Sequence, residues 1–448
     1  MNITVRPSSL SGRIEAPGSK SHMQRLLVAA LLCPGRSTIH RPAENDDCLA
    51  VLSAIAALGA DIEIGPNSET DPDPETGHER IEITGGLAPR SQSLDVGESG
   101  LGARMLAPIA ALAAQAEQTI TIEGHGSLLG RPMEAWTDIL PALGARVLSK
   151  NGRLPLQISG PLLGGTVRYD GSLSSQFTTG LLMALPCAPR DSILEVENLS
   201  SRPYIEMTLH VLTRAGIVVE WEQSDPALDR FRIPGGQTYQ PTETTVAGDW
   251  SAGATWLILA ALAGDETTLI DRLQEQAEQP EQADRSILGA LLFSGVKLMR
   301  HPQGIAVDAK KRKGFEFDAR HCPDLIPVLS AYAAFCKGPS RILGRERLRH
   351  KESDRALAIV EEFAKAGVRV EIEGDALIIH PNKGKAPRVQ SATLDARGDH
   401  RMVLAAAILG TATAGAPITI TGAECVAKSH PYFFEDLESA GAELKALA

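Results

Sequence analysis

Six times in this chain a glycine between small or apolar residues closes a helical pattern: Leu58-Gly59-Ala60, Leu143-Gly144-Ala145, Ala215-Gly216-Ile217, Ser294-Gly295-Val296, Ala366-Gly367-Val368 and Ala440-Gly441-Ala442. The glycines recur at intervals of about 72 to 85 residues. Only glycine takes the left-handed conformation cheaply, so each is expected to stop a helix. In most copies an alternating, strand-like segment follows. A second series of helices rich in Ala and Leu begins near Ser19, Ser99, Ser174, Ser251, Asp324 and Asp399. The chain therefore reads as about six copies of one two-helix α/β unit, each roughly 75 residues long.

The second-series helices are apolar nearly all round, as in Met105 to Ala114, Trp256 to Ala263 and Met402 to Leu409. A helix without a polar face is buried. The first-series helices are amphipathic, as in Arg355 to Glu362. At 448 residues the chain exceeds one ordinary core, so two domains of three repeats are expected. Each should hold three buried helices surrounded by sheets and outer helices. Two stretches read as linkers or surface loops, Gly65 to Glu79 and Gly235 to Thr245. The first strand, Ile3 to Val5, precedes any helix and needs a partner, which the second half of the chain can supply.

The formal net charge is −11. That argues against a general nucleic-acid or anionic-membrane surface, so an anionic ligand would need a local cluster of cations. No apolar stretch approaches the ~20 residues of a membrane span, and Met1 to Pro7 does not resemble a signal peptide. The six cysteines are scattered and form no CxxC pair, which suits buried reduced thiols in a cytoplasmic protein.

Cations gather at helix starts, where unpaired N–H groups and the helix dipole favour an anion. Pro17-Gly18-Ser19-Lys20-Ser21 opens the first buried helix, with Arg25 one turn on; Gly18 would let backbone approach a ligand. A capped helix with a solvated lysine is the alternative. In His350-Lys351-Glu352-Ser353-Asp354-Arg355 the two cations Lys351 and Arg355 are spaced to share a helix face, with Glu352 turned about 100° away. A surface salt-bridge cluster is the alternative there. Arg401, in Asp399-His400-Arg401-Met402, is a cation at the mouth of a buried helix, costly without a counter-anion. Arg131-Pro132 and Lys428-Ser429-His430-Pro431 fit the same scheme, with proline in the first turn. Ser174, Ser175, Gln176, Ser201 and Tyr204 add neutral donors, although for the serines plain N-capping serves as well. Asp324 is a carboxylate at a helix start, and helix capping is the ordinary role for it and for Asp46-Asp47. There is no phosphate-binding G-x-x-x-x-G-K-[ST] loop, no G-x-S-x-G and no clustered His/Cys set. The inferred site has many cations, a few carboxylates, and no evident metal or nucleotide motif.

Read in order, PGSKS, GARM, GRPM, GSLSSQF, SRPYIEMT, HKESDR, GDHRM and AKSHP closely resemble the 5-enolpyruvylshikimate-3-phosphate synthase family over essentially the whole chain. The resemblance implies a two-domain inside-out α/β barrel, three repeats per domain, with helix N-termini facing the interdomain cleft. One domain would be residues 1–18 with 246–448, on the phosphoenolpyruvate side. The other would be residues 19–245, on the shikimate 3-phosphate side. It also implies transfer of the enolpyruvyl group of phosphoenolpyruvate to the 5-hydroxyl of shikimate 3-phosphate, without cofactor or metal, by a cytoplasmic monomer.

By the same resemblance Lys20, Gly100, Arg131, Gln176, Arg355, Arg401 and Lys428 would hold phosphoenolpyruvate. Lys20, Ser21, Arg25, Ser174, Ser175, Gln176, Ser201, Tyr204, Asp324 and Lys351 would hold shikimate 3-phosphate. Asp324 would be the base on the 5-hydroxyl. Glu352 would protonate C3 and later remove that proton, with Lys20 a partner in proton transfer. Two departures stand out. Glu98-Ser99-Gly100-Leu101 replaces a frequent Asn-Ala-Gly-Thr, and Arg347 stands where Asn is frequent. A relative acting on UDP-N-acetylglucosamine carries a reactive cysteine where this chain has Gly126. A non-enzymatic ring binding polyanions would instead predict exposed stripes of Lys and Arg.

Overall fold

A computed structural model describes residues 1–66, 79–114, 118–225, 227–265, 268–273, 280–302, 304–308, 312–349, 351–381 and 389–447. Most of the expected Gly65 to Glu79 linker, and His350 of the HKESDR motif, lie outside the described residues. The chain divides into two compact units, Met1–Pro17 with Gly248–Ala448, and Gly18–Ala247.

Among the described residues each unit contains three four-stranded sheets. All six share one pattern: a parallel pair at one edge, continued by two antiparallel pairings. The N-terminal strand Asn2–Val5 is inserted between Ile418–Thr421 and Leu444–Leu447, antiparallel to both. Its partners do come from the far end of the chain, as its lack of any preceding helix required. Of the second expected linker, Glu243–Thr245 is a strand, parallel to Arg36–His40.

Twelve helices are described: α1 (Lys20–Leu32), α2 (Asp46–Ala57), α3 (Gly100–Ala113), α4 (Trp136–Ala142), α5 (Ser175–Ala184), α6 (Arg202–Arg214), α7 (Trp250–Ala263), α8 (Ile287–Phe293), α9 (Ile326–Ala333), α10 (Arg355–Lys365), α11 (His400–Ala412) and α12 (Phe433–Ser439). The odd-numbered helices are buried along almost their whole length; in α7 every residue from Trp250 to Ala261 is buried. In the first-numbered unit α11 packs on α7 and α9, and in the other α3 packs on α5 and α1. Burial of side chains such as Trp256 and Leu257, both 0% exposed, contributes roughly 1.5–3 kcal/mol each.

The even-numbered helices all end at the six glycines. Gly59, Gly144, Gly216, Gly295, Gly367 and Gly441 have φ of +121°, +99°, +75°, +92°, +77° and +109°. The next residue's N–H then turns back to a carbonyl five positions earlier, for example Val368 to Phe363 at 2.9 Å and Ala442 to Leu437 at 3.0 Å. That closure satisfies a helix-end carbonyl and needs the left-handed residue.

Several helix starts differ from expectation. Asp249, not Ser251, caps α7, its Oδ1 accepting from Ala252 N at 2.9 Å. Asn45 caps α2, which leaves Asp47 available to pair with Lys20. Asp324 lies in a short 3-10 turn, Pro323–Leu325, and does not cap α9. Arg131 and Lys428 sit at the ends of the 3-10 turns Gly126–Gly130 and Ala423–Lys428, and the helices begin only at Trp136 and Phe433. Prolines 132 and 431 are thus in connecting backbone, where fixed φ stiffens the approach to the helix.

Candidate active site

In the unit containing both termini, Arg355 is the centre of a carboxylate cluster. Asp354 caps α10, its Oδ1 accepting from Leu357 N at 3.2 Å, so the helix begins at Arg355. Lys351 and Glu352 therefore precede the helix and do not share its face, because a capping aspartate sets the first helical residue one position later. They converge all the same. Arg355 Nη1 donates to Asp324 Oδ1 at 2.6 Å, and Nη2 to Glu352 Oε2 at 2.6 Å. Lys351 Nζ lies 3.2 Å from Asp324 Oδ1. Glu352 is not turned away, as helical geometry would have it, but folded onto the arginine.

Asp399 completes the cluster. It caps α11 by accepting from Arg401 N at 3.0 Å, and it accepts from Arg355 Nε at 2.8 Å and Nη2 at 3.2 Å. Ser353 Oγ donates to the same carboxylate at 3.0 Å. Sequence reasoning gave Asp399 no role; its signal was a capping aspartate on a helix with no polar face. Burial alone would raise the Asp324 pKa, but Lys351, Arg355 and Arg401 hold it well below the usual carboxylate range. Burial likewise opposes the charge on Arg355, yet Asp399, Glu352 and Asp324 hold its pKa well above the ordinary value. Arg401 is 3% exposed, and its Nε is buried without a hydrogen-bond partner among the described residues. Lys428 Nζ donates to Gly398 O at 2.8 Å, one residue before Asp399.

The other unit holds a second group. Ser19 caps α1, and Lys20, its first residue, pairs with Asp47 Oδ2 at 2.9 Å. Arg25 is 1% exposed and ties three helices together: Nη1 donates to Ser21 O at 2.6 Å, Nε to Thr208 Oγ1 at 2.9 Å, and Nη2 to Thr179 Oγ1 at 3.3 Å and Tyr204 O at 3.2 Å. Burial pushes its pKa down to about 10, with Tyr204 acting the other way. It remains charged at neutral pH. Ser174 caps α5, its Oγ accepting from Gln176 N at 3.3 Å, and Ser175 is buried behind it. Ser201 precedes α6 with φ +51° and makes no side-chain cap, so capping does not explain it.

Gly100 begins α3, and the Arg131 guanidinium lies directly against it; a Cβ there would collide with Nη1. Gly18 does not open onto free space, because a Cβ there would meet Ala43 Cβ at 3.1 Å. The resemblance-based set omitted Arg104, on α3. It is 1% exposed, donates to Gln176 Oε1 at 2.6 Å and Pro132 O at 3.0 Å, and lies 5.0 Å from the Phe177 ring centroid. An arginine within an otherwise apolar helix was the available signal. Glu98 accepts from Ser127 N at 2.6 Å and Ser127 Oγ at 2.7 Å, joining the Gly100 loop to the Gly126–Gly130 turn. Gly126 has φ +57°, a backbone conformation that an L side chain rarely adopts, and a Cβ there would meet the Glu98 carboxylate.

Within each unit, then, buried arginines hold helix starts, carboxylates and hydroxyls in fixed geometry. Charged groups so confined act through electrostatic preorganisation. Among the described residues no helix is long and apolar enough to cross a membrane.

The family model for EPSP synthase (3-phosphoshikimate 1-carboxyvinyltransferase) matches residues 5–437. A 3-phosphoshikimate 1-carboxyvinyltransferase of Clostridium kluyveri is 34% identical over 446 residues, covering 99% of this chain and 98% of that protein. One of Methanocorpusculum labreanum is 33% identical, covering 99% of this chain and 100% of that protein. Among solved structures, an EPSP synthase from Acinetobacter baumannii superposes with a TM-score of 0.76 at 26% identity, covering 99% of this chain and 100% of that chain. With its motifs in order and the match running nearly end to end, the chain belongs to the EPSP synthase (3-phosphoshikimate 1-carboxyvinyltransferase) family.

Proposed function

We propose that this chain transfers the enolpyruvyl group of phosphoenolpyruvate to the 5-hydroxyl of shikimate 3-phosphate, releasing phosphate, as a step of aromatic amino acid biosynthesis. The 5-hydroxyl oxygen attacks C2 while C3 gains a proton and becomes a methyl group. The tetrahedral intermediate then loses phosphate as C3 gives a proton back. The observation that carries this reading is Asp324 and Glu352 bound to the two ends of one Arg355 guanidinium. An acid–base pair for addition and elimination is thereby fixed at one cation.

Asp324 is ionised and accepts the hydrogen bond of the 5-hydroxyl, taking its proton as the C–O bond forms. Glu352 supplies and later removes the C3 proton. Lys20 assists proton transfer. Lys20, Gly100, Arg131, Gln176, Arg355, Arg401 and Lys428 hold phosphoenolpyruvate. Lys20, Ser21, Arg25, Ser174, Ser175, Gln176, Ser201, Tyr204, Asp324 and Lys351 hold shikimate 3-phosphate. Burial of Arg25, Arg355 and Arg401 supports these roles, because a buried guanidinium gains most from a bound anion.

The finer architecture belongs to the same reading: a two-domain inside-out α/β barrel of six repeats, with residues 1–18 and 246–448 on the phosphoenolpyruvate side and residues 19–245 on the shikimate 3-phosphate side. The shared pattern of the six sheets supports it. The enzyme works as a cytoplasmic monomer without cofactor or metal. Four of its six free cysteines are buried, which suits a reducing compartment. Phosphate release from phosphoenolpyruvate tests the reading, with shikimate 3-phosphate or UDP-N-acetylglucosamine as acceptor and EDTA present. Release with the first acceptor alone is the expected result; release only with the second, or with neither, rejects it.

A further inference from the structure

Glu362, on α10, is a buried carboxylate that the reaction above does not use. Its side chain is 1% exposed. One partner lies on its own helix: Lys365 Nζ donates to Oε2 at 2.6 Å. The others come from the segment that leads into α11. Asp395 N donates to Oε2 at 2.9 Å, and Arg397 donates to Oε1 from Nε at 3.1 Å and from Nη2 at 2.7 Å. Arg397 Nη2 also donates to Glu361 Oε2 at 2.5 Å. Both oxygens of Glu362 are thus filled by donors and its charge is paired, as a buried carboxylate requires. Because most of those donors belong to another segment, the bonds tie that segment to α10.

The segment makes a turn that ordinary residues resist. Arg397 has φ +54°, and Gly398 next to it has φ +68°. Glycine takes that region freely, whereas an arginine there needs support from its surroundings. Asp395 Oδ1 accepts from Arg397 N at 2.8 Å, and the guanidinium is pinned on Glu362. The turn then presents Gly398 O to Lys428 Nζ at 2.8 Å. One residue later, Asp399 caps α11 and accepts from Arg355 Nε at 2.8 Å. Arg355 and Glu362 are seven positions apart on α10, about two turns, so they lie on one face of it. The helix therefore holds the turn at both ends, Glu362 at Asp395 and Arg397, and Arg355 at Asp399.

We propose that Glu362 is a positioning residue for phosphoenolpyruvate binding: it clamps the turn Asp395–Asp399 so that Gly398 O holds the Lys428 ammonium in place for the substrate. The inference rests on Lys428 holding phosphoenolpyruvate, as read above. A lysine head on a flexible four-carbon stem loses rotamer freedom when it meets an anion, and a fixed carbonyl partner meets part of that cost beforehand. Without the Glu362 charge, Arg397 has lost its anchor at an unfavourable φ. The turn then relaxes, and Gly398 O leaves Lys428. Asp324 and Glu352 keep their own bonds to Arg355, so the effect falls on binding more than on the proton transfers.

The test is steady-state kinetics of Glu362→Gln, Arg397→Ala, Arg397→Lys and Lys428→Met, with the double variant of Glu362→Gln and Lys428→Met closing a cycle. Glu362→Gln keeps the shape but loses the charge, and its amide nitrogen cannot accept. It should raise KM for phosphoenolpyruvate by about tenfold or more, the loss of one charge-assisted contact to an anion. The changes in kcat and in KM for shikimate 3-phosphate should be much smaller. Destabilisation alone would instead lower the active fraction, and so kcat, at unchanged KM. Arg397→Ala should act like Glu362→Gln, and Arg397→Lys, which keeps a charged donor, should recover part of the loss. In the Lys428→Met background Glu362→Gln should cost markedly less than in the wild type, because the group it positions is gone. An unchanged KM in Glu362→Gln, or an equal cost in the two backgrounds, overturns the inference. If Glu362→Gln fails to fold, Arg397→Ala takes its place in the cycle and the same outcomes decide. An unchanged KM in Lys428→Met rejects the binding role of Lys428 itself, and a raised KM there with additive effects rejects only the role of Glu362.

Discussion

Asp324 Oδ1 accepts from Arg355 Nη1 at 2.6 Å and lies 3.2 Å from Lys351 Nζ, so one carboxylate oxygen faces two cations. Arg355 in turn spreads its donors over Asp324, Glu352 and Asp399. The members of the cluster share one guanidinium, so removing one changes the interactions of the rest.

Arg355→Ala should destabilise the protein by about 3–5 kcal/mol, because it strands buried carboxylates, Asp399 above all, whose side chain is 0% exposed. Arg355→Lys should recover only part of this, since an ammonium cannot reproduce the fork of bonds. Urea unfolding at pH 7 measures both. A midpoint unchanged in Arg355→Ala would mean the cluster contributes nothing to stability.

The pKa of Asp324 is depressed by its neighbours in the folded state. Its contribution to stability is therefore fully present above its unfolded pKa of about 3.9. It is lost as pH falls through the lower folded value. Asp324→Asn should flatten the acid side of the stability curve below about pH 4 and leave the shape above pH 6 unaltered. Denaturant unfolding across that range would reveal any remaining acid slope of wild-type steepness, which would contradict the prediction.

Glu352→Gln should abolish deuterium incorporation at C3 of phosphoenolpyruvate in heavy water while leaving substrate binding largely intact. Asp324→Ala should instead weaken shikimate 3-phosphate binding by ~1.5–3 kcal/mol through loss of one charge-assisted hydrogen bond. Calorimetry and mass spectrometry separate the two. Normal exchange in Glu352→Gln would transfer the C3 proton to Lys20.

Gly367→Ala should cost about 1–2 kcal/mol, because φ is +77° and an L side chain resists that region. Its Cβ would approach only the flexible Gln390 side chain, at 3.2 Å, so packing adds little. Chemical denaturation checks the value; a neutral result would show that the turn relaxes to another closure.

Local conformational preference made part of this protein legible without coordinates. The six glycine stops follow from the steric cost of a Cβ at positive φ, and the buried helices from the absence of any polar face. The cation-rich motifs could be picked out because charge beside an apolar helix is expensive unless something compensates it. What compensates it was not legible. That Lys20 meets Asp47, that Arg104 holds Gln176, and that Arg355 binds Asp399 across 44 residues of chain are facts of packing. The helix register at Lys351 was misread for a related reason: Asp354 takes the cap and delays the helix, and then Glu352 is free to fold onto Arg355. Sequence by itself determined the six helix stops and the burial of the apolar helices, because those depend on neighbours within a few positions. Only the tertiary structure decided the pairing of charges, because desolvation and Coulomb energy depend on distances between segments that the order of residues does not contain.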